Sequence, residues 1–459
     1  MKIGSSDLIN RRVFLKAVGG AGAAALAQNV LPGSALASTA PATVIRQNYR
    51  IVQTVKDPLK LITIWLGGGA SHIDSFNLPP ESATVSTGPF RPTRTSIPGV
   101  LVTDQLIRTA RILNKTTLFR NITHNQGDHG PATALFFTGN DRLVNDRGDS
   151  RFNTPLNANA LAQAAMFANS RYFALNANQE RLPYSGVEGR DPNSFSIGCN
   201  FTGDNAYPSP LNGGVSRELL NERISLLNQI QQLQELDSSD PRVAQFVQAQ
   251  QGAINTVNSN IGPAFNLNRM DPRLRDRVGR NPLGNAVLTA ANLINAGAKF
   301  VTINDGFWDS HYDLEPDLRV LLPRLDYAFS GLVEMIEMGV VDEDTMVVIA
   351  TEFGRHPVLT TPQFDEEEET NVTAGREHWP HSSFALVYGP ENVVAHGDAV
   401  GRINIHGRFP DSVTPYSAPR FWEAILNGCG YAREKLNRAG NPTGERFSTY
   451  NLFRRNVQN

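Results

Sequence analysis

Cysteine is nearly absent from this chain, with two residues, Cys199 and Cys429, in 459. A disulfide-stapled small domain is therefore excluded, and no C-x-x-C spacing offers a redox or zinc-ribbon motif. The two thiols are open to two readings, a single pair or two buried small side chains. Blocks of lysine and arginine are also missing, and 42 Lys+Arg stand against 44 Asp+Glu for a formal charge of -2. Without a basic footprint, nucleic acid is not an expected partner. No apolar run reaches the roughly 20 residues that span a bilayer, so no membrane span is expected in the mature chain. The 38 glycines and 28 prolines follow no period, which excludes a collagen-like chain, and no repeat of solenoid length is visible. There is no G-x-S-x-G elbow. Ser71-His72-Ile73-Asp74 crowds triad residue types onto one turn, where they cannot align in series, so a serine hydrolase is not expected.

What is present is ordinary globular material, 40% hydrophobic and 19% charged, long enough for two or three domains or one large α/β domain with insertions. The first 37 residues stand apart. Asn10-Arg11-Arg12-Val13-Phe14-Leu15-Lys16 precedes an Ala/Gly-rich run from Ala17 to Ala27, and Ala35-Leu36-Ala37 supplies a small-x-small cleavage site. This segment resembles a bacterial twin-arginine signal, which implies an exported protein (periplasmic, secreted or on the cell surface) handled by the twin-arginine export machinery. Its removal takes away Lys2, Arg11, Arg12 and Lys16 against Asp7, a net loss of three positive charges that carries the formal charge from -2 to -5. Residues 38–58 read as a flexible lead-in.

From residue 59 a single α/β domain is expected. Residues 59–66, 299–304, 345–350 and 383–388 are apolar on both faces, as buried central strands are. Helical patterns lie between them, over 283–296 stopped by Gly297 and from Pro316 to Met338 closed by Gly339. Alternation of this kind predicts a mainly parallel sheet covered on both faces. Residues 216–259, rich in Gln, Leu and Asn and broken at Ser238-Ser239-Asp240-Pro241, read as a helical hairpin within an insertion of about 213–282. Too few clean heptads are present for a coiled-coil partner helix.

In open α/β sheets ligands bind beyond the carboxyl ends of the strands, and the polar clusters fall there. Gly67-Gly68-Gly69-Ala70-Ser71-His72 follows the first strand, Asp305 to His311 the second, and Thr351 to His356 the third. Gly375 to His381 precedes the fourth. Carboxylates and imidazoles converging from separate segments are what a divalent metal requires, with Zn, Mn, Mg and Ca not distinguished. Asp309 and His311 form an x-spaced pair on one loop. In the run Thr123 to Pro131, Asp128 and His129 sit just before a helix predicted from Pro131 to Phe137, whose N-terminus favours an anion. The acidic run Asp365 to Glu369 reads as solvated, with Ca²⁺ binding a lesser alternative.

The Gly-Gly-Gly-x-Ser-His-x-Asp loop, Trp308-Asp309-Ser310-His311, Glu352-Phe353-Gly354-Arg355 and Gly375-Arg376-Glu377-His378, together with Ala296-Gly297-Ala298-Lys299-Phe300-Val301, resemble the DUF1501 family in this order. That family is placed in the alkaline phosphatase/sulfatase superfamily. The resemblance covers roughly residues 59–430. It implies a three-layer αβα, alkaline-phosphatase-like fold and a metal-dependent site for a phosphate or sulfate ester, either a small anionic molecule or a glycan. His311 and His378 match the superfamily's imidazole ligands. Gly68 stands where a metal-binding Asp is expected, with Asp74 six residues on, His129 near the nucleophile's place, and Glu352-Phe353 where an Asp-His pair belongs. The implied metal set is Asp309, His311, Glu352 and His378. Asp128 and His129 would meet the reacting group, and Arg355 or Arg376 would neutralise developing charge. The substituted positions leave a second expectation, a non-catalytic binding or surface-assembly module on a degenerate fold.

Overall fold

The computed structural model describes residues 49–79, 88–138, 172–176, 194–198, six positions between 219 and 229, 261–365, 370–404, 409, 415–437, 439 and 441–446. The export segment, Cys199, most of the helical insertion and most of the acidic run lie outside the described residues.

The architecture is built on a nine-stranded sheet. Its strands in chain order are β1 Lys60–Leu66, β2 Thr116–Thr123, β3 Tyr172–Asn176, β4 Ser194–Gly198, β5 Phe300–Asp305, β6 Thr345–Ala350, β7 Ser383–Tyr388, β8 Asp398–Val400 and β9 Tyr416–Ser417. The spatial order is β8-β2-β7-β6-β1-β5-β3-β4, with β9 also pairing β2. All neighbours are parallel except those of β7, which runs antiparallel to β2 and to β6. The helices whose bounds fall among the described residues are α1 Ile107–Ile112, α2 His129–Thr138, α3 Pro272–Val278, α4 Pro282–Asn295, α5 Leu314–Glu337 and α6 Ala418–Gly428.

Side chains alternate across a strand, so each central strand serves two cores. Ile62, Ile64, Val347, Ile349, Phe384 and Leu386 face one layer, which α1, α3, α4 and α5 cover. Leu61, Trp65, Met346, Val348, Ala385 and Val387 face the other, where α2 and α6 contribute Phe136, Phe137, Phe421 and Trp422. Trp65 sits 4.9 Å from Phe136, and Phe137 stacks on Trp422 at 5.6 Å. The fold is a three-layer αβα arrangement with a mostly parallel sheet, in agreement with the sequence.

Two local expectations are revised. Tyr49–Gln53, inside the segment read as a free lead-in, is a strand that pairs antiparallel with Tyr431–Leu436. Its partner strand lies some 380 residues downstream, beyond the reach of a local composition argument. The second concerns β7, whose all-buried composition matches that of the parallel strands. Burial records both faces being covered and carries no strand direction. Cys429 is a free, buried thiol behind α6, and burial pushes it up to about 12.

Candidate metal centre

Five segments meet at one edge of the sheet. The parallel strands β1, β5 and β6 end there in Leu66, Asp305 and Ala350, and β2 ends there just before α2. Because β7 is reversed, the residues that precede it, His378 included, arrive at the same edge.

The turn after β1 is a glycine turn for steric reasons. Gly68 has φ +112°, and a Cβ there would lie 2.6 Å from the Asp309 nitrogen; at Gly69, φ is +77° and a Cβ would run into the Phe353 ring. The loop after β5 is thereby pressed against it, with the Trp308 N–H donating to the Gly67 carbonyl at 3.2 Å. Thr351 ties the third segment in: its hydroxyl donates to the Leu66 carbonyl at 2.8 Å and accepts from the Ala70 N–H at 2.9 Å.

Within this frame His129, Asp309, His311 and His378 each present one ligand atom, and all four atoms lie within 4.8 Å of one another. Asp309 is the hub. Its Oδ2 is 2.9 Å from His129 Nε2; its Oδ1 is 3.1 Å from His311 Nε2 and 3.2 Å from His378 Nε2. The two latter nitrogens are 3.0 Å apart. Phe353, fully buried, forms the floor, 4.6 Å from the His378 ring and 5.1 Å from that of His129.

The outer nitrogens fix the tautomers. His378 Nδ1 is 2.7 Å from the Gly127 carbonyl, which can only accept, so the proton is on Nδ1. His311 Nδ1 is 2.9 Å from Glu377 Oε2. His129 Nδ1 is 2.9 Å from Glu352 Oε1, which also accepts from the Gly68 N–H at 2.8 Å. With those protons outside, neutral His311 and His378 turn two lone pairs at each other and at a carboxylate. That arrangement repels itself unless a proton or a metal cation lies among the four groups. Ring nitrogens held from behind by carboxylate or carbonyl are also the usual support of metal-ligating histidines. The donor set therefore fits a divalent ion of the zinc or manganese kind.

Without a cation the electrostatics show the same pull. Burial lowers the affinity of His129 for a proton, but its hydrogen bonds to Asp309 and Glu352 outweigh this and raise its pKa to about 9. Burial pushes Asp309 up, yet the contacts with His129 and Arg355 win and hold its carboxyl well below the usual range.

The expected site residues are distributed unequally. Asp309, His311 and His378 come together, and His129 joins them as a fourth donor rather than standing apart beside a reacting group. Glu352, expected as a ligand, is 2% exposed and stands behind His129, because its carboxylate is spent on His129 and the Gly68 N–H. Arg355 reaches the centre through its Nη2, which meets Asp309 and the Gly68 carbonyl, while Nε and Nη1 donate to the carbonyls of Gly69 and Arg376. It is fully buried, so it offsets the charge of Asp309 and does not meet solvent. Arg376 is elsewhere: fully buried, it pairs with Asp74 at 2.8 Å and donates to the Pro357 carbonyl at 2.8 Å. A guanidinium committed in this way does not face a substrate. Asp128 is exposed, and its backbone carbonyl accepts from the Ala132 N–H at the start of α2. Glu377 and the Gly127 carbonyl are supports not expected from the sequence; the adjacent Glu377-His378 pair is a usable signal, whereas a backbone carbonyl leaves none.

No curated protein matches the chain. Among solved structures it is similar to a protein in the alkaline phosphatase superfamily from Vibrio parahaemolyticus, at 9% identity over 96% of this chain and 80% of that one, with a TM-score of 0.41. It is similar also to the alkaline phosphatase of the Antarctic bacterium TAB5 (10% identity, 82% and 99% covered, TM-score 0.35) and to a sulfatase from Pseudoalteromonas sp. (10% identity, 81% and 68% covered, TM-score 0.37). The model of the family described as "Protein of unknown function (DUF1501)" matches residues 59–449, and the chain belongs to that family.

Proposed function

We propose that this chain is an exported, metal-dependent hydrolase-like protein that cleaves a phosphate or sulfate ester at the edge of its sheet. The observation that carries the reading is the inward-facing quartet of His129, Asp309, His311 and His378, whose outer nitrogens are held by Glu352, Glu377 and the Gly127 carbonyl. A divalent ion bound there supplies Lewis acidity and a positive field for an anionic ester. The ester class itself comes from the motif resemblance set out above.

The chain's own residues do the rest. The site is open, with the Asp309 side chain 42% exposed and that of His311 32%, so a substrate reaches the ligand groups directly. Arg355, locked by three carbonyls, offsets the negative charge of Asp309 from beneath. Among the described residues the one hydroxyl bonded to a member of the quartet, that of Thr360, donates to the His311 backbone carbonyl at 3.0 Å and not to a ligand side chain, and the nucleophile of this proposal is water. Water adds to phosphorus or sulfur, the ester oxygen leaves with a proton, and no ester forms on the protein.

Metal content by elemental analysis tests this, with the wild type beside a His311→Ala/His378→Ala double variant. Near-stoichiometric metal lost in the variant, with turnover of a phosphate or sulfate ester by the wild type alone, is the expected result. Metal without turnover of any ester would leave a binding module; no metal in a folded wild type would overturn the reading. Export through the twin-arginine route belongs to the same proposal, and its check is loss of exported protein when Arg11 and Arg12 become lysines.

A further inference from the structure

The strand β2 carries one residue more than its neighbour β7 can match. Ile122 stands opposite Ser383 and Phe119 opposite Ala385, so Arg120 and Asn121 share the place opposite Phe384 alone. A bulge of this kind re-aims a side chain that an even ladder would send into a core. On the other side of β2, β8 runs parallel with Val400 opposite Phe119. The chain then turns at Gly401, with φ +71°, where a Cβ would lie 2.6 Å from that of Asn121. Asn77 clamps the two segments together: its Nδ2 donates to the Arg120 carbonyl at 3.0 Å, and its Oδ1 accepts from the Ile403 N–H at 3.2 Å. Arg120 and Arg402 are thereby fixed on neighbouring segments, on either side of one asparagine.

Arg120 differs from the other enclosed arginines of this protein. Arg324, Arg355 and Arg376 each meet a carboxylate, those of Asp305, Asp309 and Asp74. The half-buried guanidinium of Arg120 makes no hydrogen bond and no ion pair among the described residues, and its Nε is sealed from water without a partner. What acts on it raises the cost. Burial, and after it the like charge of Arg402, lower its hold on a proton. A charge taken out of water without a counter-charge is expensive, and a second guanidinium beside it adds repulsion. Both penalties fall away when an anion lies between the two heads. Arg402 is exposed, so such an anion has a way in from solvent.

We infer that Arg120 and Arg402 form an oxyanion-binding site of their own, apart from the metal quartet, for a sulfate or phosphate group that is either free or carried on a sugar. Two forked donor groups arriving from separate segments suit an ion with three or four oxygens better than a carboxylate with two. None of the metal donors or their supports belongs to this site, and the inference does not depend on the ester reading.

The test is isothermal titration calorimetry of inorganic sulfate and inorganic phosphate into the metal-loaded wild type, with ionic strength held constant by chloride. Arg120→Met and Arg402→Gln are each expected to weaken the binding of one of these ions by about tenfold or more, and His311→Ala/His378→Ala to retain it. A melting curve gives a second reading that does not need the calorimeter. In chloride alone Arg120→Met should melt above the wild type, because the uncompensated charge is gone, and added sulfate or phosphate should raise the wild type and not the variant. Glucose 6-sulfate distinguishes the two sources: an Arg120-dependent affinity above that for inorganic sulfate assigns a sugar-borne group, and an equal affinity assigns the free ion, both with the site upheld. Unchanged affinity for both ions in Arg120→Met would overturn the inference. So would binding that survives in Arg120→Met and is lost in His311→Ala/His378→Ala, which places the anion at the quartet and leaves the ester reading intact. A wild type that binds neither ion, or an Arg120→Met variant that melts below it in chloride, would also overturn it.

Discussion

At the scale of single residues, the centre depends on groups that never touch the cation. His311 is aimed by Glu377, whose carboxylate is 58% exposed and reaches Nδ1 at 2.9 Å. Glu377→Ala frees the ring to turn and removes the acceptor that keeps the proton on Nδ1. Metal affinity should fall about tenfold, the low end of what such supports are worth because water partly replaces an exposed carboxylate. Glu377→Gln, which keeps an acceptor oxygen, should lose less; competition against a chromophoric chelator reads both, and equal affinity in all three proteins would reject the role. His72 offers a pH prediction away from the ligands. It is fully buried beneath the turn after β1, with Nδ1 accepting from the Arg355 N–H at 3.2 Å, and burial, helped by Arg376, lowers its pKa to about 3. An unfolded His72 takes a proton near 6.5, so stability is intact above that pH and is lost as pH falls from about 6.5 toward 3. The slope approaches about 1.4 kcal/mol per unit from this residue. His72→Asn retains an acceptor and removes the titration. Urea melts at pH 7 and pH 5 should differ less for the variant than for the wild type, and an equal difference would mean that other groups set the acid limit.

At the scale of elements, the sequence was most legible where a pattern is local. The strands β1, β5, β6 and β7 fall within one residue of their expected limits because continuous apolar runs bounded by polar loops have few alternatives. The helix α4 was legible for the same reason: Asn281 accepts from the Gly284 N–H at 3.0 Å, Pro282 opens the first turn, and Gly297 at φ +100° ends it. What the sequence did not hold is direction and distance. The reversal of β7, which delivers His378, and the pairing of Tyr49–Gln53 are long-range choices made by packing. Glu352 illustrates the same limit, since an acid at a strand end is of the right type whether it binds a metal or steadies a histidine. The glycine turn after β1 gives an element-level prediction. Gly68→Ala must push its Cβ into the Asp309 backbone in a disfavoured conformation, and should cost about 1–3 kcal/mol while also weakening metal binding. Gly99→Ala is the control: φ is +79° but nothing lies within 4 Å, so it should cost about 1 kcal/mol and leave the metal unchanged. Equal losses of metal affinity in both would show that the turn does not place Asp309.

At the scale of the whole molecule, the centre is a clasp between segments far apart in the chain. His129 opens α2, Asp309 and His311 follow β5, and His378 precedes β7, so four donors join three regions separated by 180 and 67 residues. An ion bound there binds only the folded chain, and linkage then adds RT ln(1 + [M]/Kd) to stability, about 2.7 kcal/mol when free metal is 100 times Kd. A chelator should accordingly lower the melting temperature, and added metal should restore it. The shift should vanish in His311→Ala/His378→Ala. The double variant without metal need not be less stable than the chelated wild type, since it no longer turns two imidazole lone pairs toward one carboxylate. That inequality separates a metal centre from a structural polar cluster. If the quartet were kept only to hold the three segments together, the double variant would melt below the chelated wild type and neither protein would respond to metal.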